Sequence, residues 1–189
     1  MLLAMSGCVH QELLLPGTGN SSYSAPAEQN ATVDVSDLNV NVQEEQVVTR
    51  LPFPVSEYSR LPRSGNATVK GSIYVIGPSG EKVYGKQTRL YLNPVTSYSR
   101  QWYQESYLGG KKMAKADPRL FNYLRFTTSD ASGHFAFYGV PAGRYYLIGV
   151  VRCAQQCGYD TPQTIRVAKE IDVPKNRTVD VDLSKDLDQ

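Results

Sequence analysis

Residues 128–147 read TSDASGHFAFYGVPAGRYYL, and this stretch decides the fold. It opens with turn-forming residues and continues into a short run of aromatic and small residues. Gly133 permits a tight hairpin turn, because glycine accepts a positive φ at no steric cost. Phe135 and Phe137 lie two positions apart, so they share one face of a strand and are expected to fill a core.

A second turn, at Gly143, separates this run from the next. The residues after it alternate, so one pair of side chains should be buried against a second sheet. That pair is either Tyr146 with Ile148 or Tyr145 with Leu147. The stretch thus predicts strands joined by tight turns and packed in two layers.

Short β-rich runs separated by turn signals continue on both sides of this stretch, which is typical of a β-sandwich. The closing run alternates strictly: Val179, Val181 and Leu183 should face inward, and Asp180 and Asp182 should face water. The composition agrees, with thirteen Tyr and eleven Pro against one Trp and three Met. The predicted strands are 67–75, 88–92, 123–128, 134–137, 144–151, 164–173 and 177–183.

The 128–147 stretch is similar to the signature of carboxypeptidase regulatory-like domains, roughly T-D-x-x-G-x-F-x-F-x-x-L-P-x-G-x-Y-x-L. These domains are transthyretin-like (prealbumin-like) β-sandwiches, akin to the Cna B-type repeats of surface proteins. The resemblance implies an all-β, seven-stranded, Greek-key β-sandwich over residues 67–189. Such a signature describes folding and does not specify a ligand.

The first eight residues, MLLAMSGC, resemble the end of a bacterial lipoprotein signal peptide, in which small residues precede a lipidated cysteine. The resemblance implies that residues 1–8 are a signal-peptide remnant with a lipobox and that Cys8 carries the lipid. Residues 9–66 are rich in Ser, Asn, Gln, Ala and Pro, which predicts a flexible, disordered tether. Val9 is not the Asp that favours inner-membrane retention, so we expect an outer-membrane location, facing the periplasm or the cell surface.

Two further cysteines, Cys153 and Cys157, follow a predicted strand. In an oxidising compartment they would form a disulfide that closes the loop after that strand. They could instead be free thiols or half of a metal site. A zinc site needs two more ligands nearby, and the chain has only two histidines, His10 and His134, so no metal is expected.

A long insertion, residues 97–120, interrupts the β pattern. Loops of this length are uncommon unless they are functional or disordered. Residues 97–108 are expected to form a short helix that the Gly109–Gly110 pair ends. The insertion could pack on the sandwich, bind a partner protein, since Trp, Tyr and Arg anchor many interfaces, or stack on sugar rings. The candidate binding residues are Tyr98, Arg100, Trp102, Tyr103, Tyr107, Lys111 and Lys112.

Other classes of function have less support in the sequence. No nucleophile elbow or phosphate-binding loop is visible, so neither an enzyme nor a bound cofactor is expected. The net charge of +2 gives no reason to expect nucleic acid. We therefore predict a non-catalytic envelope lipoprotein, anchored to the membrane by lipid, whose sandwich is a structural or protein-interaction module. The alternative is a carbohydrate-binding module at the cell surface that uses the aromatic insertion.

Overall fold

The computed structural model describes residues 47–188, which form two β-sheets packed across a shared apolar core. The strands are β1 Ala67–Ile76, β2 Lys82–Tyr84, β3 Arg89–Pro94, β4 Arg125–Thr128, β5 His134–Val140, β6 Gly143–Cys153, β7 Gln163–Val173, β8 Thr178–Asp180 and β9 Leu183–Asp186. The helical segments are α1 Val55–Ser59, α2 Ser97–Gln101, a π-helix Trp102–Leu108, and 3₁₀ turns at Pro118–Asn122 and Gln155–Cys157. Within 47–188, none of the helices combines the length and apolar character needed to cross a bilayer.

The first sheet is built around β1. Strands β5 and β2 pair antiparallel with β1, and β8 and β9 run parallel to it. The second sheet has the order β4-β3-β6-β7 and is antiparallel throughout. Strands β6 and β7 pair over their whole length, from Gly143 opposite Val173 to Cys153 opposite Gln163.

The prediction of a β-sandwich-like architecture is confirmed, since the described residues are mostly β, but the predicted number of seven strands is wrong, because the described chain has nine. Strand β2 was not expected. The predicted closing strand is divided into β8 and β9, because the Asp182 carboxylate turns back and accepts hydrogen bonds from the Ser72 N–H, at 3.2 Å, and the Tyr74 hydroxyl, at 3.3 Å. The transthyretin-like, Greek-key assignment stays a prediction.

The turn before β5 does not form a hairpin, so that prediction is wrong. Strand β4 pairs with β3 in the second sheet and β5 pairs with β1 in the first, so the turn carries the chain from one sheet to the other. Gly133 does adopt a positive φ, of 85°. The Asp130 carboxylate accepts hydrogen bonds from the N–H groups of Ser132 and His134, at 2.8 and 2.9 Å, which lowers the pKa of Asp130.

The core contains the residues that the signature stretch predicts. Phe135 and Phe137 are each 4% exposed. Tyr145 and Leu147 face the same core. Tyr146 and Ile148, on the opposite face of β6, are each 1% exposed, because the insertion covers them. Both of the possible pairs are therefore buried, on opposite faces of one strand.

Residues 47–63, here called the strap, lie on the insertion. The Val48 N–H donates to the Lys112 carbonyl at 2.8 Å. Phe53 stacks on Tyr58 with 4.5 Å between ring centroids, and Tyr58 is fully buried. The prediction of a flexible tether is therefore wrong for residues 47–66, because Phe53, Tyr58 and Leu61 gain burial by docking. The remainder of the predicted tether, and Cys8, lie outside the described residues.

The predicted disulfide between Cys153 and Cys157 is confirmed. It closes the 3₁₀ turn that follows β6 and lies in the core, where each cysteine is 4% exposed. The disulfide therefore fixes the end of β6, where the chain leaves the second sheet.

Candidate functional site

The outer face of the second sheet carries side chains that point away from the sandwich core. On β3, Leu90 and Leu92 are fully buried in that core. Because neighbouring residues of a strand alternate between faces, Tyr91 and Asn93 lie on the opposite side. The insertion and the strap cover this outer face incompletely and leave a cleft between them.

The insertion begins with a capped helix. The Thr96 hydroxyl accepts a hydrogen bond from the Ser99 N–H at 3.3 Å, and the Ser99 hydroxyl accepts one from the Thr96 N–H at 2.9 Å, which is a capping box. The Ser99 hydroxyl also donates to the Pro94 carbonyl at 2.7 Å, which ties α2 to the end of β3. The helix continues as a π-helix to Leu108, and Gly109 follows. The predicted helix over residues 97–108 is thus confirmed.

The predicted aromatic residues of the insertion divide into two groups. Tyr98 is 2% exposed and faces the strap, and its hydroxyl accepts a hydrogen bond from the Asp117 N–H at 2.8 Å. Trp102, Tyr103 and Tyr107 are half-buried and pack on the outer face of the sheet. Much of the predicted binding set therefore holds the insertion in place.

The predicted basic residues of the insertion are exposed and do not meet at one site. The Lys111 ammonium pairs with the Glu105 carboxylate at 2.6 Å. Arg100 lies on α2, and the carbonyl of Lys112 accepts the hydrogen bond from the strap. None of these three residues lines the cleft.

The cleft, here called the aromatic cleft, has a volume of about 270 Å³. Of the seven predicted binding residues, only Tyr98 and Trp102 line it. Tyr91 and Asn93 could have been predicted from the alternation of β3, whereas Arg50 and Phe121 come from segments with no such pattern. The walls consist of Arg50, Tyr91, Asn93, Tyr98, Ser99, Trp102, Ala116, Leu120, Phe121, Leu124, Phe126 and Ile148.

Aromatic rings form the accessible part of this cleft. Phe121 is 63% exposed and Phe126 is 39% exposed, which is unusual for phenylalanine. The rings of Tyr91 and Phe126 have centroids 6.0 Å apart. The guanidinium of Arg50 lies 5.3 Å from the centroid of Tyr98 and supplies a positive charge. The cleft therefore offers flat apolar faces beside a cation.

Asn93 lines the same cleft and is only 5% exposed. Its side-chain oxygen Oδ1 has no hydrogen-bond partner among the described residues. Leaving a buried polar group unpaired costs about 1–3 kcal/mol, and native structures contain few such groups. Asn93 Oδ1 is therefore a hydrogen-bond acceptor at the cleft that the described residues leave without a donor.

Tyr91, which lines the cleft, stays protonated at neutral pH. Burial raises the pKa of Tyr91, and it raises the pKa of Tyr58, whose hydroxyl receives a hydrogen bond from Thr96, to about 12. Among the lining residues, Arg50 therefore supplies the only formal charge. This cleft can bind through stacking and hydrogen bonds but contains no acid–base pair.

Fold and cleft together define a two-sheet β domain with an aromatic-lined cleft on the outer face of one sheet. No protein-family model matches the chain, and no curated protein matches it. A crystal structure from Pseudomonas aeruginosa, described as a "putative carbohydrate binding protein", is similar to it with a TM-score of 0.63 and 27% identity, covering 71% of this chain and 99% of that one. A structure of (S)-allantoin synthase aligns with a TM-score of only 0.33, at 12% identity over 66% of this chain and 42% of that one, and supports no argument.

Proposed function

We propose that this domain binds carbohydrate and that the aromatic cleft is the binding site. The observation that carries the proposal is the buried, unpaired side-chain oxygen of Asn93 in a cleft lined by aromatic rings. A sugar ring presents C–H faces that stack on aromatic side chains and hydroxyl groups that both donate and accept hydrogen bonds. Ligand sites generally combine apolar walls with a few placed polar groups in this way.

The lining residues have separate roles in this proposal. Trp102, Phe121 and Phe126 offer the stacking faces. Asn93 and Arg50 supply the polar contacts, with Asn93 Oδ1 as a hydrogen-bond acceptor and the Arg50 guanidinium as a donor. At about 270 Å³ the cleft lies just below the range of drug-sized sites, about 300–1,000 Å³, so it suits one sugar ring of a longer chain.

The similar Pseudomonas aeruginosa structure supports this choice over the other interpretations of the insertion. Its description names carbohydrate binding, and the similarity spans 99% of that chain at 27% identity. The aromatic insertion that suggested sugar binding from sequence also contributes Trp102 and Tyr98 to the cleft. In this proposal the domain binds its ligand without chemical change.

We also propose that lipid on Cys8 holds the domain at the outer membrane. The lipobox-like residues 1–8 support this anchor. Intact-mass measurement of protein extracted from membranes tests it, since a diacylglyceryl or triacyl adduct is expected. An unmodified chain in the soluble fraction would contradict the anchor and leave the sugar site unaffected.

A protein partner in the envelope is the second candidate function. Tyr138 favours it, because this aromatic residue on β5 is 76% exposed and lies on the sheet opposite the aromatic cleft. Crosslinking in membranes should then capture a partner that Tyr138→Ala loses. If the original protein and Tyr138→Ala capture the same partner equally well, the surface around Tyr138 is not the docking site.

A glycan array tests the carbohydrate proposal. The full chain should bind a defined group of glycans, and Phe121→Ala should lose most of the signal because this exposed ring lines the cleft. Tyr138→Ala is the matched control, since it removes a second highly exposed aromatic ring that lies outside the cleft. Absence of any glycan binding, or equal loss in both variants, would contradict the proposed function.

A further inference from the structure

A second cleft adjoins the aromatic cleft. It has a volume of about 350 Å³ and lies where the strap, the start of β6 and the residues after the 3₁₀ turn Pro118–Asn122 converge. Leu124 lines both clefts, so the two clefts are adjacent at this residue. Three arginines, Arg63, Arg125 and Arg144, line this second site, here called the arginine cleft.

The guanidinium groups are held by contacts that leave donors available. Arg63 lies over the ring of Tyr123, 4.4 Å from its centroid. The Arg125 side chain donates to the Arg63 carbonyl at 2.6 Å, and Arg144 pairs with Glu170 at 3.2 Å. Each guanidinium has five N–H donors, so these contacts use only part of the set.

The charge in this cleft is not balanced by its own walls. None of the lining residues, all within the described chain, is Asp or Glu, and Glu170 pairs with Arg144 from outside the lining. Arg144 is paired with Glu170, whereas no ion pair joins Arg63 or Arg125 to another described residue, so an anion in the cleft would give these two arginines a counter-charge. The planar, forked guanidinium is well matched to carboxylate and similar oxyanions.

We propose that the arginine cleft binds the acidic group of a glycan whose neighbouring ring occupies the aromatic cleft. The ligand of this domain is then an acidic oligosaccharide. This inference rests on the proposed carbohydrate function. It adds that the ligand is negatively charged and that it extends from the aromatic cleft into the arginine cleft. The shared chemistry is an anionic substituent, either the carboxylate of a uronic acid or a sulfate ester.

The test compares a uronic-acid oligosaccharide with the same oligosaccharide after its carboxyl groups are reduced to alcohols. We expect the full chain to bind the acidic form at least tenfold more tightly. Raising the salt concentration should weaken binding of the acidic form but not of the reduced form, because salt screens exposed charges. A sulfated oligosaccharide without carboxyl groups forms the third arm and distinguishes sulfate from carboxylate as the preferred group.

Variants locate the effect. Arg63→Gln and Arg144→Gln should remove the preference for the acidic form, whereas Arg125 is left intact because it holds the strap. Arg152→Gln is the matched control: it removes an exposed arginine from the same strand, about 26 Å further along β6 at about 3.3 Å per residue.

The outcomes separate this inference from the proposed function. Equal affinity for the acidic and reduced forms would overturn the inference and leave a neutral-sugar site. A preference for acid that persists in Arg63→Gln and Arg144→Gln would also overturn it. Failure to bind any of the three oligosaccharides, together with an array that shows no glycan binding, would overturn the proposed function itself.

Discussion

Tyr103 of the insertion lies nearly parallel to Tyr146 of β6, with ring centroids 4.4 Å apart and planes inclined by 15°. This contact fixes the insertion on the outer face of the second sheet. Trp102 meets Tyr146 edge-on at 6.4 Å. The insertion is therefore part of the folded domain, and it forms one wall of the aromatic cleft.

The packing of Tyr146 can be tested by truncation. Tyr146→Ala should lower the free energy of unfolding by about 3–5 kcal/mol, because it removes a buried aromatic ring and leaves a cavity. Urea denaturation monitored by Trp102 fluorescence measures this change. Tyr138→Ala should stay within about 0.5 kcal/mol of the original protein, as exposed substitutions usually do. A small effect at Tyr146 would show that the insertion is not held by this contact.

The docking of the strap should depend on pH through Glu57. Its carboxylate accepts hydrogen bonds from the Ser97 hydroxyl, at 2.5 Å, and from the Ser97 N–H, at 2.8 Å, and these lower the pKa of Glu57 from 4.5. A lowered folded-state pKa means that the stabilisation is complete above pH 4.5 and is lost as the pH falls through the folded value.

Glu57→Gln separates this effect from other acid-sensitive groups. The amide keeps an oxygen acceptor for Ser97 but does not titrate in this range. The difference in unfolding free energy between the two proteins should therefore be largest near neutral pH and shrink below pH 4.5. A difference that is constant from pH 7 to pH 3 would contradict the role assigned to Glu57.

The Cys153–Cys157 disulfide should contribute modestly to stability. The cysteines are only four residues apart. Closing so short a loop lowers the entropy of the unfolded chain and so stabilises the folded protein by about 2 kcal/mol. The double variant Cys153→Ala, Cys157→Ala should lose about this amount in urea denaturation. A reducing agent should shift the original protein and leave the double variant unchanged. A shift in both proteins would mean that the agent acts elsewhere.

Much of the sandwich could be predicted because its strands have clear alternation. Phe135 and Phe137 lie in the core as their spacing requires, and Leu183 closes it. Strand β2 has only three residues, too few to show a period. The break between β8 and β9 depends on Asp182 bonding to β1, more than a hundred positions away, and no local pattern encodes such a contact.

The aromatic cleft was harder to predict than the fold, since it is assembled from distant segments. The sequence identified Trp102 and Tyr98, but it could not show that Tyr98 faces the strap. Asn93 lies on a strand whose alternation was clear, yet its burial depends on what covers the outer face of the sheet. Glu57 bonding to Ser97, forty positions away, is part of that cover.

The most direct test of the proposed function is the affinity of Asn93→Ala for a glycan identified on the array. Isothermal calorimetry should show affinity reduced at least tenfold, because the amide's hydrogen bonds to the ligand are lost. The free energy of unfolding should stay within about 1 kcal/mol of the original value or rise, since the unliganded domain leaves Asn93 Oδ1 unpaired. Gln104→Ala, which removes an exposed amide from the neighbouring π-helix, should change neither quantity. Unchanged glycan affinity in Asn93→Ala would contradict the assignment of the aromatic cleft as the binding site.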